Sequence, residues 1–146
     1  MSVFGSMKIS ATGMTAQQLR VDVVSQNIAN VNSTRDANGN VYKRKTVVFQ
    51  EKNITPFADA LNAASSAAIG DGVKVKAVVE DTETPSKLVY DPSNPDANEE
   101  GYVEYPNVDV VTEMTNMIDA SRSYEANATA FDASKNMILK ALEMGQ

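Results

Sequence analysis

A chain of 146 residues with 42% hydrophobic and 22% charged side chains is neither a disordered polyelectrolyte nor a membrane-embedded protein, and it has length for one or two small domains. It contains no Cys and no His, which excludes a disulfide framework, a thiolate zinc site and any nucleophile–base pair built on a thiol or an imidazole. Only carboxylates, Lys, Tyr and hydroxyls remain for chemistry, and 13 basic against 19 acidic groups leave a net charge of −6.

In chain order, the first predicted element is a helix over about residues 7–32. Met7, Met14, Val21 and Ile28 recur every seven residues, with Val24 and Val31 three further on. Thr15 with Gln18 resembles a capping box, so this helix is expected to restart after Gly13. Asn30, Asn32, Ser33 and Thr34 favour its termination. Asn38-Gly39 reads as a hairpin turn before a strand over Val41–Gln50. Residues 57–69, rich in Ala and Ser, fit a short helix or a loop. Gly70-Asp71-Gly72 leads into an alternating strand, Val73–Val79, with lysines opposite the apolar positions. Two short strands, Lys87–Tyr90 and Tyr102–Tyr105, flank a loop rich in Pro and Asn. The last helix is predicted over 108–143, starting at Pro106-Asn107 and stopping at Gly145. Spacings of four and three select Val110, Met114, Met117, Ser121, Tyr124, Ala128, Phe131, Lys135, Ile138 and Leu142, of which only Ser121 and Lys135 are not apolar. At ~1.5 Å per residue such a helix is about 50 Å long, more than a compact domain of this size needs.

The expected fold is therefore α+β: long terminal helices, residues 1–34 and 107–146, forming a helical assembly domain, and a small β-rich central domain over 35–106. A lone antiparallel pair of helices with such narrow apolar seams is marginal, because ordering two long segments opposes a limited burial. Packing against other copies or other chains supplies the rest. We expect the subunit seam to consist of Met14, Val21, Val24, Ile28 and Val31 with Val110, Met114, Met117, Tyr124, Ala128, Phe131, Ile138 and Leu142. Eight of the fifteen residues 120–134 are Ala or Ser, which lets helices approach closely.

Charge is unevenly spread. Residues 1–52 carry seven basic and three acidic groups, net +4, whereas residues 88–119 carry eight acidic groups and no basic one, net −8. Such a division suits a subunit whose one end meets the opposite end of its neighbour, against the simpler reading of a solvated acidic loop. Asp91, Asp96, Glu99, Glu100 and Glu104 are the candidate outer contacts. Their spacing fits no calcium loop, since Pro95 offers no side-chain oxygen where a ligand is needed. The stretch Asp36 to Asn40 fails likewise, with Val41 and Val47 at the Gly and Glu positions. No metal, cofactor or catalytic residue is expected. The only basic cluster, Lys43-Arg44-Lys45, is short and lies on a strand, which argues against nucleic acid. The first residues show no basic stretch followed by an apolar run, and no segment approaches the ~20 apolar residues of a membrane span. A cleaved secretory signal is not expected.

Several stretches carry a resemblance. Ile9–Gln17 with Ser25-Gln26-Asn27-Ile28-Ala29-Asn30-Val31-Asn32 resembles the N-terminal signature of the bacterial flagellar rod and hook family. Gly101–Val108 looks like the lead-in to that family's C-terminal helix, and Ala120-Ser121-Arg122-Ser123-Tyr124-Glu125-Ala126-Asn127 looks like its body. Tyr42–Lys45, Val47–Gln50 and Asp91–Ala97 are most similar to proximal rod members. The resemblance implies a structural subunit of a hollow helical rod that crosses the periplasm and transmits motor torque. It implies terminal helices in an inner coiled-coil layer and a central domain facing outward. It also implies passage through the flagellar type III export apparatus without a cleaved signal peptide. The partners would be other rod proteins, copies of the chain itself and basal-body ring proteins, with no nucleic acid and no small-molecule ligand. The competing expectation is a secreted coiled-coil tip or effector protein of a related export system, which leaves the Asn27-Ile28-Ala29-Asn30 motif unexplained.

Overall fold

The structure, a computed structural model, describes residues 3–35, 39–52 and 71–145. The stretch 57–69, expected as a short helix or loop, and Asn38 of the expected hairpin turn lie outside them. Among the described residues the order is α1 (Val3–Ala29), β1 (Lys45–Glu51), β2 (Val73–Glu80), β3 (Lys87–Tyr90), β4 (Tyr102–Tyr105) and α2 (Val110–Glu143). This is the α+β arrangement expected, with a helix toward each end and two small sheets between them in sequence. The sheets are two-stranded, β1 with β2 and β3 with β4. The second is antiparallel and pairs Lys87 with Tyr105 and Tyr90 with Tyr102. No helix is long and apolar enough to cross a membrane among the described residues.

The helices depart from expectation at their details. α1 runs unbroken through Gly13, and Thr15 does not cap a second segment: its hydroxyl donates back to the Ala11 carbonyl at 3.0 Å, a mid-helix bond. α2 begins later than expected because Asp109, not Asn107, is the capping residue. The Asp109 carboxylate accepts from the Thr112 amide, 3.1 Å, and from the Thr112 hydroxyl. β1 begins at Lys45 rather than Val41. Residues 42 and 44 instead send the Tyr42 hydroxyl to Asn27 and the Arg44 amide to Asn107.

The chain forms two compact units. One comprises the described residues among 3–19, 48–77 and 120–145. Within it α1 and α2 are antiparallel and meet through small side chains. The Ser6 and Ser134 hydroxyls are 3.1 Å apart, and a Cβ on Gly13 would lie 2.6 Å from the Asn127 side-chain oxygen. The start of β2 is fastened to α1 in the same unit. Lys8 Nζ reaches both carboxylate oxygens of Asp71 at 2.8 and 2.7 Å, and Thr12 Oγ1 accepts from the Val73 amide at 3.2 Å. Between these two ties Gly72 holds φ at +104°, and a Cβ there would collide with Thr12 Oγ1. Gly72→Ala is expected to lower stability by about 1–2 kcal/mol from the backbone strain alone, with a further loss from the displaced threonine. Urea unfolding of the purified variant measures it, and an unchanged midpoint would refute the role given to this glycine.

The second unit comprises the described residues among 20–47 and 78–119. Asn107 ties three of its segments together: its side chain accepts from the Arg44 amide at 2.8 Å and donates to the Asp81 and Thr84 carbonyls at 3.0 Å each. Val103 on β4 is fully buried. The Pro- and Asn-rich loop before it is an ordered chain of side-chain turns. Asp91 accepts from the Ser93 hydroxyl at 2.6 Å, Asn94 from the Asp96 amide at 3.0 Å, and Asn98 from the Glu100 and Tyr102 amides at 3.0 and 2.8 Å. Gly101 closes it at φ +81°, where a Cβ would press on the Tyr90 ring. The Tyr90 and Tyr102 rings stack edge to face at 5.3 Å across the hairpin.

Candidate functional site

The second unit holds a buried polar cluster that sequence reasoning missed. Asn27 of α1 and Glu113 of α2 are both 0% exposed. The Asn27 side-chain oxygen accepts from the Tyr42 hydroxyl and the Lys45 amide, both at 2.9 Å. Its nitrogen donates to the Lys45 carbonyl and to Glu113 Oε2, both at 2.8 Å. Two donors and two acceptors are all that an amide offers, so Asn27 is saturated, and it grips the first residue of β1 as another strand would. Glu113 Oε1 in turn accepts from Arg44 Nε at 2.9 Å and Asn116 at 3.2 Å, with a second Arg44 nitrogen 2.8 Å away. Burial, together with the charges of Glu80 and Glu113, raises the Tyr42 hydroxyl above its ordinary value near 10. A network so fully committed leaves no acceptor free to act as a base. It holds α1, β1 and α2 in register, which is a structural task.

Within the first unit Ser6 and Gly13 meet Ser134 and Asn127, so a step of seven along α1 is matched by a step of seven back along α2. These two small positions lie one residue before Met7 and Met14 of the apolar series. Their own seven-residue spacing was the signal available in the sequence.

The expected seam residues divide accordingly. Val24 is covered by its own chain, and Met14, Val21, Ile28 and Val31 are half-buried. On α2, Met117, Ala128, Phe131 and Ile138 are half-buried as well. Val110, Met114, Tyr124 and Leu142 remain exposed, Met114 at 55% and Leu142 at 64%, and Val111, Ile118, Met137 and Leu139 join them. Val31 and Val110 also line an open groove of about 440 Å³ with Val89, Tyr105 and Pro106.

The five outer acidic candidates divide too. Asp96 accepts from the Thr34 hydroxyl and lies 3.4 Å from Arg35 Nε, and Asp91 closes its own turn. Glu99, Glu100 and Glu104 are exposed and form no ion pair among the described residues. The −8 stretch is thus less outward than its sum implies, because Glu113 is internal and Asp91 and Asp96 are half-buried and hydrogen-bonded within the chain, while Asp109 caps α2 at the surface. The two hydrogen bonds from Thr112 hold the Asp109 carboxyl below its ordinary value of 3.8. A lowered native pKa means that the stabilisation is present above that value and is lost as pH falls through the native one. Asp109→Asn keeps a capping oxygen but does not titrate, so its thermal stability is expected to fall less than that of the parent chain between pH 4 and 2. Parallel acid limbs would refute the assignment.

Comparison with known proteins places this architecture. A family model for flagella basal body rod proteins matches residues 7–35, and one for the flagellar basal body rod FlgEFG protein C-terminal region matches residues 99–144. The chain belongs to the flagellar basal-body rod protein family. Within that family it is similar along its whole length to flagellar basal-body rod proteins FlgC: 47% identical to that of Bacillus subtilis and 44% to that of Escherichia coli O6:H1, each covered completely, as this chain is. It is 42% identical to that of Borreliella burgdorferi, over all of this chain and 99% of the relative. The chain is a structural subunit of the proximal rod of the flagellar basal body and not an enzyme.

Proposed function

We propose that the chain assembles with other rod proteins and with copies of itself into a hollow helical drive shaft that crosses the periplasm and carries torque. Residues 1–34 and 107–146 form its inner coiled-coil layer, and residues 35–106 face outward. The chain reaches this place through the flagellar export apparatus without a cleaved signal peptide. Whole-length similarity to FlgC proteins carries the reading. The apolar side chains left open on α2 support the layer, since a row of Met, Val, Ile and Leu in water is what a neighbouring helix would cover. Glu99, Glu100 and Glu104 are contacts to a neighbouring subunit or to a ring protein, because they alone of the five outer candidates have no side-chain partner among the described residues.

Cross-linking and mass spectrometry on basal bodies purified from cells expressing the chain test this. The expected result is recovery of the chain with the rod, and cross-links between the 107–146 segments of neighbouring subunits. Recovery of the chain only as free protein in the medium would overturn it in favour of a secreted tip or effector.

A further inference from the structure

We infer that the solvent face of β1 and β2 that carries Lys74 and Lys76 is the docking surface for the Glu99, Glu100 and Glu104 edge of a second copy of this chain. The inference rests on reading those glutamates as an intersubunit contact, and it supplies their counter-surface. Burial alternates over Lys45–Gln50 of β1 and Val73–Lys76 of β2, so that Phe49, Val73 and Val75 turn inward while Val48, Gln50, Lys74 and Lys76 turn to water, and β2 is exposed throughout from Lys76 to Glu80. Residues two apart on one strand face stand about 7 Å from each other, which sets two ammonium groups side by side. Neither lysine forms an ion pair among the described residues; Arg20, Lys43, Lys52, Lys87, Arg122 and Lys135 share that, but no two of those stand two apart on one strand.

The acidic edge is the counterpart in each respect. Its three carboxylates are exposed, and the turns made by Asp91, Asn94 and Asn98 already hold their backbone, so little ordering is left to oppose docking. Each surface also has an apolar residue among its charges. Val48 is exposed on β1, the strand paired with β2, and Leu88 stands opposite Glu104 on the hairpin and is exposed as well. Opposite charge around an apolar centre fixes orientation and rejects the like-signed alternative. Because the two surfaces differ, the contact is heterologous. It passes from copy to copy and generates a ring or a helix rather than a closed pair.

Charge reversal tests the pairing. Three variants of the full chain, Lys74→Glu with Lys76→Glu, Glu99→Lys with Glu100→Lys, and all four together, are expressed in cells lacking the parent. The amount in purified basal bodies is then measured by quantitative mass spectrometry. Each double reversal is expected to reduce incorporation about tenfold, and the fourfold variant to restore it to within about threefold of the parent. Melting curves of the purified chains confirm that all three remain folded. A fourfold variant no better than either double would overturn the inference. Loss on reversing the glutamates alone would also overturn it, leaving the acidic contact standing with another partner. Loss on reversing the lysines alone would assign that face to a different anionic surface and overturn it as well. Full incorporation of every variant would remove both this inference and the reading of the glutamates beneath it.

Discussion

Glu113→Ala is expected to destabilise the chain by about 3 kcal/mol or more, enough to unfold a substantial fraction of a marginally stable domain. The carboxylate is fully buried and receives Asn27, Arg44 and Asn116. Its removal leaves a guanidinium and a buried amide without their acceptor, and that penalty exceeds the net worth of the bonds themselves. Urea unfolding followed by far-UV circular dichroism measures the loss. Replacing both partners, Arg44→Met with Glu113→Leu, is expected to recover much of it, because the cost lies in the unpaired groups rather than in the missing attraction. A change below about 1 kcal/mol for Glu113→Ala would show that the cluster does not hold the helices and β1 together.

Met114→Asp and Leu142→Asp are expected to leave the isolated chain within about 0.5 kcal/mol of the parent and to abolish rod assembly and motility. Both side chains are more than half exposed on α2, so a charge there meets water in the free chain. In an assembled helical layer it would be buried without a partner, at several kcal/mol. Met117→Asp or Phe131→Asp, at half-buried positions, would instead weaken the free chain as well. Normal swimming by Met114→Asp and Leu142→Asp together would show that this face of α2 is not covered by neighbours.

The parts of the fold that were legible in the sequence are those decided locally. Strands β3 and β4 occur at Lys87–Tyr90 and Tyr102–Tyr105 as the alternation and the intervening turn residues imply, because both signals lie within the segment itself. The apolar period of α2 likewise fixed its existence and its end near Glu143. What was not legible depends on partners distant in the chain. Gly13 looks like a helix break, yet it is kept because the Asn127 side chain lies where a Cβ would be. Asn107 looks like a cap, yet its side chain serves Arg44, Asp81 and Thr84, and the cap passes to Asp109. Asn27 and Glu113 were hidden for a similar reason. A search for apolar periodicity passes over an Asn and a Glu whose partners lie far away in the chain. Family resemblance was more accessible than the site, since it rests on stretches of adjacent residues.

The small and polar contact between the helices has a bearing on the chain before it is built into anything. Most helices hide their greasiest residues from water and show charge outside; here α2 turns Met114, Ile118, Met137 and Leu142 outward, and in the first unit its Ser134 and Asn127 lie against α1. Free chain is therefore expected to self-associate as its concentration rises, because those open rows can cover one another. A cell that stockpiles it must either keep the pool thin or hold it under a cover that is shed on delivery. Precipitation of purified chain should accordingly set in at a threshold that Met114→Asp raises, with no change in its melting temperature.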